Sequence, residues 1–285
     1  MRQQDIRALV EGGFFRAKRD ALVDGNQGYG FAQVAMAESV YRNTPASRRK
    51  ELHRSIASWL ESLGEAEAKL DHGLIGSHYR TAERHAEALP YLAKTGERAL
   101  AQGSLQEATR YLKSALSSLS QIASSELSDA ARRERARAVG SDLMTSHVRS
   151  GQLEEALELS KELLGPGGLL AGTDPSENYR ILLGRADALA QLSRHTEART
   201  VYNSVFRLLG ESLTSRSALE ARLGSLMATR HIDGASQARV QFDQVLSQVD
   251  MSVRQRPDVA PVISKLEAQL VALSEDYTGG EHALD

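Results

Sequence analysis

Three histidines, His72, His78 and His85, lie close together, with Asp71 and Glu83 beside them. Imidazoles and carboxylates are the donor set of a zinc or other transition-metal site. On a helix such sites favour two histidines four apart, as in His-Glu-x-x-His, and that spacing is absent here. Packing or a solvated face is the simpler reading. A second candidate chemistry is phosphate binding. It needs glycines followed by Lys-Ser or Lys-Thr between a strand and a helix. No Gly-Lys pair occurs, and the glycine-rich run GPGGLLAGTDPS at 165–176 follows a helical pattern, so it reads as a flexible inter-repeat loop. The run ARRERARA carries Arg132, Arg133, Arg135 and Arg137, which could meet phosphates. Glu134 interrupts it and no aromatics interleave, which favours a solvated helix face. SRRK at 47–50 is a second basic spot. Paired carboxylates such as Glu154 and Glu155 sit in the first turn of an expected helix, where the helix dipole favours them without general acid–base work. Ser, His and Asp are all present, but no nucleophile-elbow motif joins them. His147 falls on an inward stripe and reads as a satisfied core histidine, while His195 and His231 lie at turns. No catalytic, metal or cofactor residue is therefore assigned.

The elements that would position any site show themselves as repeats. Four segments share a turn, an alanine five residues later, and apolar positions at helical spacing: GSLQEATRYLKSAL, GQLEEALELSKELL, SRHTEARTVYNSVF and DGASQARVQFDQVL. Their alanines are Ala108, Ala156, Ala198 and Ala238, separated by 48, 42 and 40 residues. Seven residues further come Ala115, Leu163, Val205 and Val245, and eight further Leu116, Leu164, Phe206 and Leu246. These offsets share one face of a 3.6-residue helix, so each segment offers one buried stripe. The alanine lets two helices of a hairpin approach closely; a larger side chain would push the axes beyond about 8–10 Å. The residue five positions upstream ends one helix and turns the chain.

The partner helices are more degenerate and are expected over 128–149, 176–192, 212–230 and 257–275. Asp174-Pro175-Ser176-Glu177 is a helix start, with Asp as N-cap and Pro at the first position. A helix from near Ala86 to Gln102 supplies Leu92, Gly96 and Ala99 as the stripe facing the Ala108 helix. Pro90 lies early in it, tolerated near the first turn or kinking the helix. VAPVISKLEAQLVALSE forms a last amphipathic helix, followed by a frayed polar tail. The first 60 or so residues differ: a short helix at Ile6–Glu11, a β-hairpin FFRAKRDAL–DGNQG–YGFAQ, then helices over 33–43 and 46–63 broken at Thr44-Pro45.

Composition agrees with helices. Of 285 residues 41% are hydrophobic and only 5% aromatic, which suits packing through Ala and Leu rather than a β-sandwich. Lys plus Arg number 35 and Asp plus Glu 37, a net charge of −2, so no overall field favours nucleic acid or an anionic membrane. There is no cysteine, which excludes disulfides and thiolate chemistry. No apolar run suits a signal peptide or a membrane span, and a cytoplasmic location is expected.

One unit, LIGSHYRTAERHAEALPYL, resembles the tetratricopeptide consensus. Ile75, Gly76 and Tyr79 stand where it has Leu-Gly-x-x-Tyr, Ala88 where it has its alanine, and His72 at an inward-facing aromatic position. The stretch from Leu9 to Glu61 resembles the junction after the nucleotide-binding domain of signal-transduction ATPases with numerous domains. These include LuxR-type regulators and ATPase–repeat proteins associated with nucleotide cyclases. The resemblance rests on Leu9, Gly13-Phe14, Tyr29-Gly30-Phe31, Val40-Tyr41, Arg49 and His53, with Gln33 where the family usually has His. It implies a winged-helix remnant followed by the start of a sensor solenoid, with His53 structural and SRRK packing against or facing the neighbouring ATPase module. The ATPase itself is absent from the sequence.

The expectation is thus an all-α chain: a winged-helix remnant and linking helices over 1–63, tetratricopeptide-like repeats over 64–276 forming a right-handed α-solenoid, and a flexible tail over 277–285. Its expected work is non-enzymatic binding of a protein, peptide or small-molecule effector, with self-association through the solenoid open to it and with no direct contact to nucleic acid or membrane. It would act as part of a signalling or transcription-regulating ATPase, or alternatively as a standalone scaffold. Arg185, Asp187, Arg222 and Arg230, on first helices beside the inward stripe, are the expected protein-binding residues.

Overall fold

Alanine-rich stripes and short turns build a mainly helical protein, with one two-stranded sheet among the described residues. The computed structural model describes residues 3–18, 27–63, 72–265 and 267–268, and they fall into two compact units that divide between Asp129 and Ala130. The expected boundary at residue 63 lies within the first unit, next to a segment outside the described residues. The expected tail also lies outside them.

The first unit opens with α1 (Gln3–Glu11), β1 (Phe15–Lys18) and β2 (Gly28–Phe31). The strands pair antiparallel with Phe15 opposite Phe31 and Lys18 opposite Gly28. The two phenyl rings meet edge to face at 4.8 Å between centroids, the geometry that the ring quadrupole favours. Residues 24–26 of the expected DGNQG turn fall outside the described residues, and its last residue, Gly28, opens β2. Then come α2 (Val34–Asn43) and α3 (Ala46–Ser62), broken where Thr44-Pro45 denies the chain a helical path. One face of α3 buries Ala57 and Leu60 and packs on α4 (His72–Thr81). Another presents Leu52, Ile56 and Trp59 at helical spacing, and Trp59 keeps 49% of its surface exposed. Helices α5 (His85–Ala101) and α6 (Leu105–Gln121) complete the unit, each packed on the helix before it. Helix α5 runs through Pro90, whose ring lies on the exposed side. Only the Ala86 carbonyl loses a donor there.

The second unit holds α7 (Asp129–Arg149), α8 (Leu153–Leu164), a 3₁₀ turn (Pro175–Asn178), α9 (Tyr179–Gln191), α10 (His195–Leu208), α11 (Arg216–Asp233), α12 (Ala235–Gln248) and the short α13 (Met251–Arg254). A further helical stretch starts at Ala260, and the rest of that expected helix extends beyond the described residues. Asp174 does cap, its carboxylate accepting from the Ser176 N–H at 2.9 Å. It caps the 3₁₀ turn, however, and α9 starts only at Tyr179. The glycine-rich loop before it is tied down: Leu170 is 1% exposed, and its N–H donates to the Leu163 carbonyl at 2.9 Å.

The alanine rule holds in both units. Ala88, Ala108, Ala156, Ala198 and Ala238 are all 0% exposed. Four residues on, Leu92, Leu112, Ser160, Tyr202 and Phe242 are buried, and so are Thr95, Ala115, Leu163, Val205 and Val245 seven residues on. Eight residues on, Gly96 is buried but Leu116, Leu164, Phe206 and Leu246 are only half-buried, so the stripe centres on offsets 0, 4 and 7. Glycine performs the same service elsewhere. A Cβ on Gly140 would lie 2.6 Å from a Leu163 methyl. One on Gly184 would strike Met144, and one on Gly224 the ring of Tyr202.

Four of the turns have one construction. Glu83, Gly103, Ser193 and Gly151 have φ of +58°, +79°, +61° and +75°, each five residues before its alanine. In each turn the following N–H reaches back to the first carbonyl of the motif: Arg84 to Tyr79, Ser104 to Ala99, Gln152 to His147 and Arg194 to Leu189, all at 2.9 Å. This paired C-cap is the Schellman motif. The fifth turn departs, with the left-handed residue at Gly234 (φ +95°), one position later than the spacing from Asp233 suggested, and α12 starts immediately after it. Ser193 and Glu83 have Cβ atoms in a region that disfavours them. Ser193→Gly should therefore raise stability by about 0.5–1 kcal/mol, read as a higher Tm; an unchanged or lower Tm would show that the left-handed residue carries no strain.

Candidate functional site

A concavity of the second unit lies across α7, α9 and α11, the first helices of three successive hairpins. It encloses about 440 Å³. Helix α7 contributes Asp142, Thr145 and Arg149. Helix α9 contributes Tyr179, Arg180, Leu183, Gly184 and Asp187, a spacing that follows one face of the helix. Helix α11 adds Arg216, Ser217 and Glu220. Gly184 keeps the floor low, because the missing side chain leaves room for Met144 behind it.

The charges are partly matched. Arg216 Nε donates to Glu220 Oε1 at 2.8 Å, an exposed i,i+4 pair of small energetic weight. Arg180 Nε donates to the Tyr179 hydroxyl at 3.2 Å. That contact leads the influences holding Arg180 above its ordinary pKa, and the carboxylates of Asp142 and Glu220 add to it. Asp187 is different. Its Oδ1 accepts from the Tyr202 hydroxyl at 2.5 Å, and no arginine, lysine or histidine lies within ion-pair distance among the described residues. Burial pushes its carboxyl above the usual range, and the Glu220 charge adds to the effect. Tyr202 is itself pushed up, first by burial and then by Asp187.

Of the four residues expected to bind, Asp187 alone lines this groove. Arg185 is half-buried near Glu197 of α10, whose carboxyl it helps to hold low after the dominant Arg194 hydrogen bond. The Arg222 guanidinium lies 5.8 Å from the centre of the Phe206 ring, also on α10. Arg230 stands in the last turn of α11. The three arginines are not brought together with Asp187. Sequence reasoning missed Arg149, Arg180, Arg216 and Glu220. Their signal was a polar stripe on the first helices, opposite the alanine-facing side.

The histidines divide as packing would have it. His147 is 1% exposed, and its Nδ1 meets Gln152 Oε1 at 2.7 Å. In the first unit the Tyr41 hydroxyl lies 3.1 Å from His53 Nε2, and His53 Nδ1 lies 2.8 Å from His78 Nδ1. Arg49 stacks 4.9 Å above the Tyr41 ring. Nearby, the Glu61 carboxylate accepts from the hydroxyls of Tyr79, at 2.7 Å, and Tyr91. In the second unit His195 and His231 stack at 4.1 Å, with ring planes 5° apart. Among the described residues, no three His, Cys, Asp or Glu side chains are grouped to hold a metal ion, and no helix is long and apolar enough to cross a membrane. In the basic runs, Arg137 pairs with Glu177, Arg48 with Glu51 at 2.6 Å and Lys50 with Glu83 at 2.5 Å.

Burial lowers the pKa of His53, His78 and His231 below 6.5, and neighbouring cationic or imidazole groups add to it: Arg49, His53, and His195 with Arg230 respectively. Each folded-state value lies below the unfolded one, so the unfolded chain binds more protons as pH falls through 6.5. Stability is therefore constant above that region, falls as the pH drops through it, and levels off below the folded values. Urea midpoints measured from pH 7.5 to 5 should decline, and His231→Gln should flatten part of the decline. An equal slope in the variant would remove His231 from the account.

The described elements thus define a mainly α-helical protein of successive antiparallel hairpins, with a polar groove on three first helices. No protein-family model matches the chain, and neither does any curated protein or solved structure.

Proposed function

We propose that this chain is a non-enzymatic interaction or effector-sensing module built from tetratricopeptide-like repeats. The observation that carries the reading is the groove, because its three walls are α7, α9 and α11, each the first helix of its hairpin. In a stacked array of helix pairs the first helices line the concave side, where such arrays take their ligands. The contact of α9 with α11 across the intervening α10 supports stacking of this kind, and so do the repeated alanines and turns. A right-handed superhelix follows from this reading.

The paired strands after α1, followed by α2 and α3, support reading the N-terminal part as a winged-helix remnant. With the motif residues between Leu9 and Glu61, that favours the arm of a signalling or transcription-regulating ATPase acting in the cytoplasm. The alternative is a standalone scaffold. Finding a phosphate-binding loop encoded upstream of Met1 in the same reading frame would favour the first over the second.

Affinity capture from the native extract tests the binding role. Wild-type protein should retain partners that the groove-filling double variant Thr145→Trp with Ser217→Trp loses, with the helical circular dichroism signal unchanged. Identical captured sets from both proteins would remove the groove from the binding role.

A further inference from the structure

Two imidazoles meet across the seam between α3 and α4. His53 Nδ1 of α3 lies 2.8 Å from His78 Nδ1 of α4. The ring centres are 5.0 Å apart, nearly the longest separation that such a contact allows, so each nitrogen points at the other. That is the geometry of a hydrogen bond through one shared proton, not of two ligands converging on a metal ion. A neutral pair carries two protons on four nitrogens, one of them between the Nδ1 atoms. With His53 as donor, its Nε2 accepts from the Tyr41 hydroxyl 3.1 Å away. An added proton then goes to His53 Nε2, the Tyr41 oxygen turns to accept it, and the bridge stays. With His78 as donor the added proton goes to His78 Nε2, and the bridge stays as well. The next proton has only the second Nδ1 left. Two N–H groups would then face each other at hydrogen-bond distance.

We propose that the His53–His78 contact is an acid-released clasp, which holds α3 on α4 through a first added proton and lets them part on the second. Nothing nearby offsets the second charge, because no carboxylate bonds to either ring among the described residues. Arg49 of α3 opposes a charge on His53, and His53 opposes one on His78. The surrounding carboxylates are engaged elsewhere: Glu51 by Arg48, Glu83 by Lys50 and Glu61 by the hydroxyls of Tyr79 and Tyr91. On α5, Glu87 is held by Arg84 and feels Arg54 of α3. The seam also has little apolar support. Helix α3 buries only Ala57 and Leu60, and further ties across the seam are polar, such as Ser58 with the Tyr79 hydroxyl at 3.4 Å. Burial and the neighbouring positive charge hold both rings below 6.5. The parted seam therefore binds protons more readily than the closed one, and acid favours parting from 6.5 down to the folded values. The release is local, unlike the global loss of stability described above. The α5–α6 seam, where Gly96 meets Leu112, has no imidazole pair.

The test is nuclear magnetic resonance of the full chain with labelled histidine, the rings being assigned through His53→Gln and His78→Gln. In the wild type the two rings should titrate as a coupled pair, in steps at least about one pH unit apart. Across the second step, amide exchange in α3 and α4, corrected for the intrinsic effect of pH, should quicken about tenfold per pH unit, while α5 and α6 hold. In either variant the remaining ring should titrate in one step, and the acid quickening in α3 and α4 should disappear. Should one variant fail to fold, the other serves. Two independent single steps in the wild type would overturn the shared proton. Coupled steps without any change in exchange would overturn the clasp. Quickening that persists in the variants, or that spreads equally through α5 and α6, would overturn it too.

Discussion

Phe242→Ala should destabilise the second unit by about 3–5 kcal/mol. Phe242 is 0% exposed and lies four residues after Ala238. Its ring fills the space among Leu219, Leu223 and Leu226 of α11, Val245 and Val249 beyond it, and Val259 and Ile263 further along the chain. Truncation removes a large apolar group and leaves a void that backbone segments held on several sides cannot close. If the hairpins stack as an array, the loss should be graded along the chain. Hydrogen exchange should quicken most in α11 and α12, while α4–α6 of the first unit change least. A loss below about 1 kcal/mol in urea unfolding would mean that this cluster is loosely packed. Uniform quickening of exchange throughout would argue for one all-or-none unit.

The second large effect concerns Gly224. A side chain there meets the ring of Tyr202, which is 5% exposed and held at its far end by Asp187 at 2.5 Å. A ring pinned at both ends cannot swing aside. Gly224→Leu should therefore cost about 2–3 kcal/mol through overpacking, and it should also move the Asp187 carboxylate and weaken binding in the groove. Gly184→Ala should lose stability as well, because its added Cβ would lie 2.1 Å from Met144 Cγ, near the root of a side chain only 1% exposed, which outweighs the about 1 kcal/mol of helix propensity that alanine gains over glycine. An unchanged Tm would show that Met144 re-packs.

The stripes were legible in the sequence because burial on a helix is periodic and alanine at a crossing has few alternatives. All five alanines, and the side chains seven residues on, lie where the period puts them. The turns were legible where the left-handed residue was Gly103 or Gly151, and by spacing at Ser193. At Gly234 spacing misled by one position, because backbone permissiveness decided where the chain turns. The 3₁₀ turn before α9 left only a cap signature, which α-helices and 3₁₀ turns share. The short α13 had no pattern long enough to recognise. The groove was the least legible part. Asp187 flanks an inward stripe and lines the groove, but Arg222 flanks one as well and lies against Phe206 of α10. Which side of a stripe faces the next first helix depends on how hairpins stack, and one helix's periodicity carries no record of its neighbour's position. Arg149, Arg180 and Arg216 belong to three separate helices, so no local spacing joins them.

Trp59 is the sole tryptophan among 285 residues, and it stands on the outer face of α3 with Leu52 and Ile56. The intrinsic fluorescence of this protein is therefore an optical readout of one surface. Half-wet indole emits toward the red already in the native state, so unfolding has little room to shift it further. Anything that lies down on the face of α3 would move the emission to the blue, without a label. Melting of the helical hairpins would be followed better by circular dichroism or by the tyrosines, several of which, such as Tyr79, Tyr111 and Tyr202, are buried.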